Sequence, residues 1–277
     1  YLKPSGETEA DYLTEIQNLY DSGYKFIVGP GFKLETAIYK AQEKYQDAKF
    51  VILDGAPMDE DGNYVVADNT VAIQFAEHEG GFAAGVAAAV ELQTGDFGFI
   101  GGMESPVISK FDYGFRAGVK AANPDAEVMV QYANSFTDSA LGKTIANQMH
   151  SKNADIIFTC AGAVGIGAIE AAKENGKYAI GVDRDQSDLA PKNVLTSAIK
   201  RVDVGVYETV KDLLDGKFEG GTVTVYGLDQ DAVGIAPTTK NLVPQDILDY
   251  VNQEIEKLKK GDIKVPKDKK EYDTMMK

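Results

Sequence analysis

Apolar and polar positions along the chain switch between a helical and an extended period. Tyr12, Ile16, Leu19 and Tyr20 recur at helical spacing and predict a helix over 11–20. The run Phe26, Ile27 and Val28 directly after it predicts a short buried strand. The same alternation continues, with helices predicted at 34–45, 80–92, 111–122, 141–149, 167–174, 204–214 and 246–260. Strands are predicted between them at 50–53, 97–100, 127–132, 156–158, 179–182 and 222–226. Uninterrupted apolar strands interleaved with helices specify an α/β class with parallel sheet, because strands covered on both faces have no polar side to show. The charged stretch from Asp262, which holds Pro266, is predicted to be a surface strap.

Two stretches repeat one design. Phe26-Ile27-Val28 is followed by Gly29-Pro30-Gly31, a helix, and the strand Val51-Ile52-Leu53 with Asp54 behind it. Ile156-Ile157-Phe158 is followed by Ala161-Gly162, a helix, and the strand Ile180-Gly181-Val182 with Asp183 behind it. Open α/β sheets bind ligands beyond the carboxyl ends of their strands, and both acids stand at such ends. Each aspartate also has a plainer reading as a helix cap or loop anchor, which a matched pair makes less apt. Phe158, Phe32 and Phe111 each allow two readings, a core ring or a flat face turned to a ligand.

Composition narrows the function. The 277 residues carry 28 Lys and Arg against 43 Asp and Glu, a formal charge of −15. Such a chain cannot neutralise a run of phosphates, so nucleic acid is excluded as a partner, and adhesion of the body to anionic lipid is disfavoured. The single cysteine, Cys160, rules out an internal disulfide, and two histidines are too few for a histidine-built metal site. No stretch is apolar for long enough to span a bilayer.

Several motif fragments fail on their own terms. Leu141-Gly142-Lys143-Thr144 ends like a phosphate loop, but Thr137 stands where the first glycine is required. His78-Glu79 opens a zinc-protease pattern that Phe82 breaks. Asp59, Asp61 and Asn63 resemble a calcium loop, yet Tyr64 and Thr70 replace its glycine and its bidentate acid, leaving a solvated hairpin turn. Gly162, Gly165 and Gly167 have the wrong spacing for a dinucleotide fingerprint and serve helix packing or a bare-backbone ligand contact equally well. No serine or cysteine has an evident histidine partner, so the chain is not expected to be an enzyme, and no cofactor is implied.

The run 95–108 (GDFGFIGGMESPVI), Phe111 and 114–120 (GFRAGVK) resemble the basic membrane protein family, the lipid-anchored substrate-binding proteins of ABC importers that include the purine nucleoside receptor A group. Asn134-Ser135-Phe136-Thr137-Asp138 with Gly142-Lys143, the turn Ala161-Gly162, the stretch 180–186 (IGVDRDQ) and the stretch 195–200 (LTSAIK) extend the resemblance over essentially the whole chain. It implies a type I periplasmic-binding-protein fold, two Rossmann-like lobes joined at a hinge by three crossovers near 68–69, 197–201 and 228–233. Lobe one is expected to hold 1–70 plus 201–230, and lobe two 71–200 plus 231–277. The first strand and helix of lobe one, with the aspartate-glycine turn and the phenylalanine that the family carries there, have no counterpart in this sequence.

The resemblance further implies a bound purine nucleoside (guanosine, inosine or adenosine) held in an interlobe cleft and delivered to an ABC permease. Carried over by position, the ribose acid of lobe one falls on Asp54, the stacking aromatic of lobe two on Phe158, and further contacts on Gly181, Asp183 and Lys200. Phe32 is a second candidate aromatic. A carboxylate accepting two hydroxyl protons suits a vicinal diol, and a purine suits an aromatic face. The expected location is extracytoplasmic in a bacterium, on a lipid anchor upstream of Tyr1. A receptor of the same fold for a sugar or another small hydroxylated solute is the alternative.

Overall fold

The strand–helix alternation folds as two units, Tyr1–Phe75 with Val202–Tyr226, and Ala76–Arg201 with Gly227–Lys277. The computed structural model describes residues 1–93 and 95–277.

The first unit is built on strands β1 (Phe26–Pro30), β2 (Lys49–Leu53), β3 (Thr70–Phe75) and β9 (Thr222–Tyr226), all parallel and in the order β1-β2-β3-β9. Helix α1 (Glu9–Asp21) starts at Thr8, whose hydroxyl accepts the Asp11 N–H while the Asp11 carboxylate accepts the Thr8 N–H at 3.0 Å, satisfying two orphan donors reciprocally. Its buried face, Tyr12 and Ile16, joins Ile38 and Ala41 of α2 (Glu35–Lys44) over Phe50 and Ile52 of the sheet. The carbonyls at the end of α2 are taken up by Asn69, whose amide donates to Gln42, Tyr45 and Ala48. Buried Gln42 clamps the approach to β3, donating to the Val65 carbonyl at 2.8 Å and accepting the Ala67 N–H at 3.1 Å. Helix α7 (Val202–Leu214) completes the unit, with Gly205 set against Ile73 and Phe75.

The second unit holds a six-stranded sheet, β10-β8-β7-β6-β4-β5. Its strands are β4 (Asp96–Gly101), β5 (Val128–Tyr132), β6 (Ala154–Cys160), β7 (Tyr178–Asp183), β8 (Val194–Lys200) and the antiparallel β10 (Val233–Ile235). Helices α3 (Glu77–Glu91) and α4 (Pro106–Ala122) press together along glycines. A Cβ on Gly114 would overlap the His78 carbonyl, and one on Gly85 the Phe115 carbonyl. Helices α5 (Ser139–Ser151) and α6 (Ala163–Asn175) approach as closely, through Gly142 against Val164 and Gly167 against Ser139. Gly142 of the phosphate-loop fragment and Gly167 of the dinucleotide fragment therefore serve helix packing, while Gly165 faces Thr159 of β6 and Gly162, with φ 56°, makes the turn into α6. The Asp59 region is a hairpin turn, with Asp59 accepting the N–H groups of Asp61 and Asn63 and an antiparallel bridge from Met58 to Tyr64.

Helix α8 (Gln245–Lys259) and a final helix α9 (Lys269–Met275) end the second unit. The charged tail is thus partly helical. It is held by stacking, with the Arg116 guanidinium 4.1 Å from the Tyr272 ring centre and 5.0 Å from that of Tyr113. Strands β3, β8 and β10 have no counterpart in the pattern reading. In β8 the polar Thr196 and Ser197 interrupt the apolar run, yet both are buried. Thr196 is bonded to Thr239 at 2.6 Å, and Ser197 accepts the Gln186 N–H at 3.0 Å.

Candidate functional site

In the second unit the candidate residues gather at the carboxyl ends of β7 and β8. Asp183 closes β7 with φ 65°, a left-handed conformation that aspartate tolerates better than most residues. Three residues on, buried Gln186 fastens this turn. Its Oε1 accepts the Val182 N–H at 2.8 Å and its own N–H donates to the Ser197 hydroxyl of β8 at 3.0 Å. Gly181 has no room for a side chain, because a Cβ there would lie 2.6 Å from Ser197 Oγ and 2.7 Å from Gln186 Oε1. The next acid, Asp185, accepts from the Thr238 hydroxyl at 2.7 Å and from the Ser187 N–H. Burial opposes its charge, but these bonds prevail and hold its carboxyl below the usual range.

Lys200 ends the neighbouring strand. Its Nζ stands 3.4 Å from Asp183 Oδ1, with the lysine side chain 5% exposed and the aspartate side chain 56% exposed. A nearly buried ammonium thus backs a carboxylate that faces solvent, and the pairing of Asp183 with Ile199 across β7 and β8 sets that distance. The ammonium also lies 5.9 Å from the Phe111 ring centre. Phe158 is placed differently. It is 0% exposed, and Phe99, Phe111 and Phe115 surround its ring at centroid distances of 5.5, 5.9 and 5.2 Å. Its ring belongs to the core of the unit and presents no open face. Phe111 is likewise core.

The same arrangement recurs in the first unit. Gly31, with φ 110°, turns the chain at the end of β1 and donates its N–H to the Leu53 carbonyl, after which Phe32 opens a short 3-10 turn. Asp54 follows β2 with φ 63°, its N–H on the Ile73 carbonyl of β3. Because β1 and β2 are adjacent and parallel, Phe32 and Asp54 share one end of that sheet. Glu35 anchors the loop beyond, accepting the Ala56 N–H at 3.2 Å. Burial raises its carboxyl pKa, and the Ala56 bond offsets only part of that.

Three polar residues that matter to this geometry were not singled out from the sequence. Gln186 and Glu35 each act on a loop, and the only signal for either is an acid at a strand end with a polar residue nearby. Glu77 is a fully buried acid, with Lys110 3.2 Å from its Oε2. Cys160 is buried, and burial pushes its thiol well up, the nearby Asp183 adding to the effect. It is a neutral packing group, not a nucleophile. Among the described residues no cluster of histidine, cysteine and acidic groups has a metal-binding arrangement.

Paired α/β units with acids at matching strand ends define the class of periplasmic-binding-protein-like receptors. Solved structures share the fold. A solute-binding protein of an ABC transporter system from Aeropyrum pernix K1 matches with a TM-score of 0.83 and 25% identity, over 98% of this chain and 85% of that one. One from Conexibacter woesei matches at 0.77 and 22%, over 96% and 87%. Among curated proteins, the CD4+ T-cell-stimulating antigen of Listeria monocytogenes is 40% identical over 94% of this chain and 75% of its own length. Basic membrane protein D of Borreliella burgdorferi is 38% identical, over 97% and 79%. The family model described as ABC transporter substrate-binding protein PnrA-like matches residues 1–269, and the chain belongs to that family. It is therefore a small-molecule binding component of an ABC transporter, with a permease as its partner.

Proposed function

We propose that this receptor captures purine nucleosides on the outer side of a bacterial membrane, held there by a lipid anchor, and passes them to its permease without chemical change. The ligand residues in this reading are Phe32 and Asp54 of one unit and Gly181, Asp183 and Lys200 of the other. Phe158 supports the end of β6 from the core. The observation that carries the reading is the pair of left-handed aspartates, φ 63° and 65°, at equivalent strand ends, one of them backed by a buried lysine. Each carboxylate accepts two hydroxyl protons, as a ribose diol requires, and Phe32 offers a ring to a base. The Lys200 ammonium, 3.4 Å from Asp183 Oδ1, holds that carboxylate in place.

Titration calorimetry with guanosine, inosine and adenosine, beside arabinose and fructose, tests this. Nucleoside binding is expected in the micromolar range, which is about −8 kcal/mol. Asp183→Ala is expected to weaken it by about 1.5–3 kcal/mol, the range for a hydrogen bond to a charged group. Heat from the sugars alone would move the reading to a carbohydrate receptor, and unchanged affinity in Asp183→Ala would remove that residue from the site.

A further inference from the structure

Charge is not spread evenly over this acidic chain. Residues 257–277 hold eight lysines against four acids, a net +4 in a protein of −15. The four acids are Asp262, Asp268, Glu271 and Asp273, and three of them are engaged locally. Asp268 caps α9 by accepting the Glu271 N–H, Glu271 accepts the Lys267 N–H, and Asp273 pairs with Lys269. Lys260, Lys264, Lys270 and Lys277 are all exposed and make no ion pair among the described residues. Met275, which lines one cavity with Lys264 and Lys270, is 44% exposed, and Met276 is 45% exposed. Between this segment and the start of α3 lies that cavity, of about 740 Å³, with Leu258, Ile263 and Val265 among its walls, and Lys264, Lys267 and Lys270 lining it together with the acids Glu79, Asp268 and Glu271.

We propose that this segment is a docking surface for an anionic phospholipid bilayer. Exposed lysines around flexible apolar side chains are the composition of a peripheral membrane contact. The ammonium groups meet lipid phosphates while the thioether chains enter the headgroup boundary. The rest of the molecule, being acidic, is repelled by the same surface, so the attraction orients the protein with this face inward. A purely polyanionic partner would have no use for the two methionines; a second copy of this acidic chain, which exposes Leu214, Val223 and Val225, is the competing occupant that the test below separates.

Vesicle co-sedimentation of the chain as numbered, without lipid modification or nucleoside, tests the surface independently of the ligand proposed above. Binding to vesicles containing phosphatidylglycerol is expected to exceed binding to pure phosphatidylcholine by about tenfold at low salt, and to fall as salt rises. The triple variant Lys260→Gln, Lys264→Gln, Lys270→Gln is expected to lose that preference, and Met275→Ser with Met276→Ser to weaken binding several-fold. All these positions are exposed, so the variants should retain the wild-type melting temperature. Equal binding to both vesicle types, or a triple variant that binds like wild type, would overturn the proposal. So would equal affinity for soluble polyphosphate, which assigns the surface to a polyanion. Lysine-dependent dimerisation without vesicle binding would assign it to a second copy.

Discussion

His78 stands at the start of α3, where burial, and then the positive charges of Lys110 and Lys267, push its imidazole down to about 4. An unfolded histidine takes a proton near 6.5, so between those values the unfolded chain binds a proton that the folded chain refuses. This residue therefore removes stability as pH falls from about 6.5 towards 4. His78→Gln is expected to flatten the acid-side fall in melting temperature across that window. Glu35, Glu79 and Asp112, raised by burial, act in the opposite sense and are present in both proteins. Superimposable pH profiles would show that His78 does not govern acid sensitivity. Gln186 makes a second residue-level case. Gln186→Ala strands the Val182 N–H and is expected to cost about 1–3 kcal/mol by urea denaturation. Asp54 and Asp183 were legible because an acid directly after an apolar strand is a visible break in pattern. Gln186, Glu35 and Glu77 were not, since a lone polar residue carries no sign of whether it is buried.

At the scale of elements, helices α1 to α8 and most strands followed from periodicity, while α9 and how closely helices approach did not. The pattern places α3 and α4 as separate apolar helices. Only the fold brings the His78 carbonyl onto the α-carbon of Gly114. Gly114→Ala is accordingly expected to destabilise the protein by about 1–3 kcal/mol as the two helices are forced apart, despite the better helix propensity of alanine. Equal or greater stability in denaturant would mean that the pair yields at no cost. Strand β8 escaped the pattern for a related reason. The hydroxyls of Thr196 and Ser197 read as surface residues until their partners Thr239 and Gln186, distant in sequence, are known.

For the molecule as a whole, a charge of −15 means repulsion that opposes the compact state. Most of the ion pairs with both partners exposed contribute little. Added salt is therefore expected to raise the melting temperature at neutral pH until the repulsion is screened. A fall on adding salt would show that the ion pairs outweigh the repulsion. The α/β class and the strand-end acids were determined by sequence alone, since burial on two faces and breaks in an apolar run are written in residue order. The tertiary structure alone decided that Phe158 is core and that Gly114, Gly142 and Gly167 seat helices against one another. Each of these depends on neighbours brought together from far along the chain, and no local pattern encodes such neighbours.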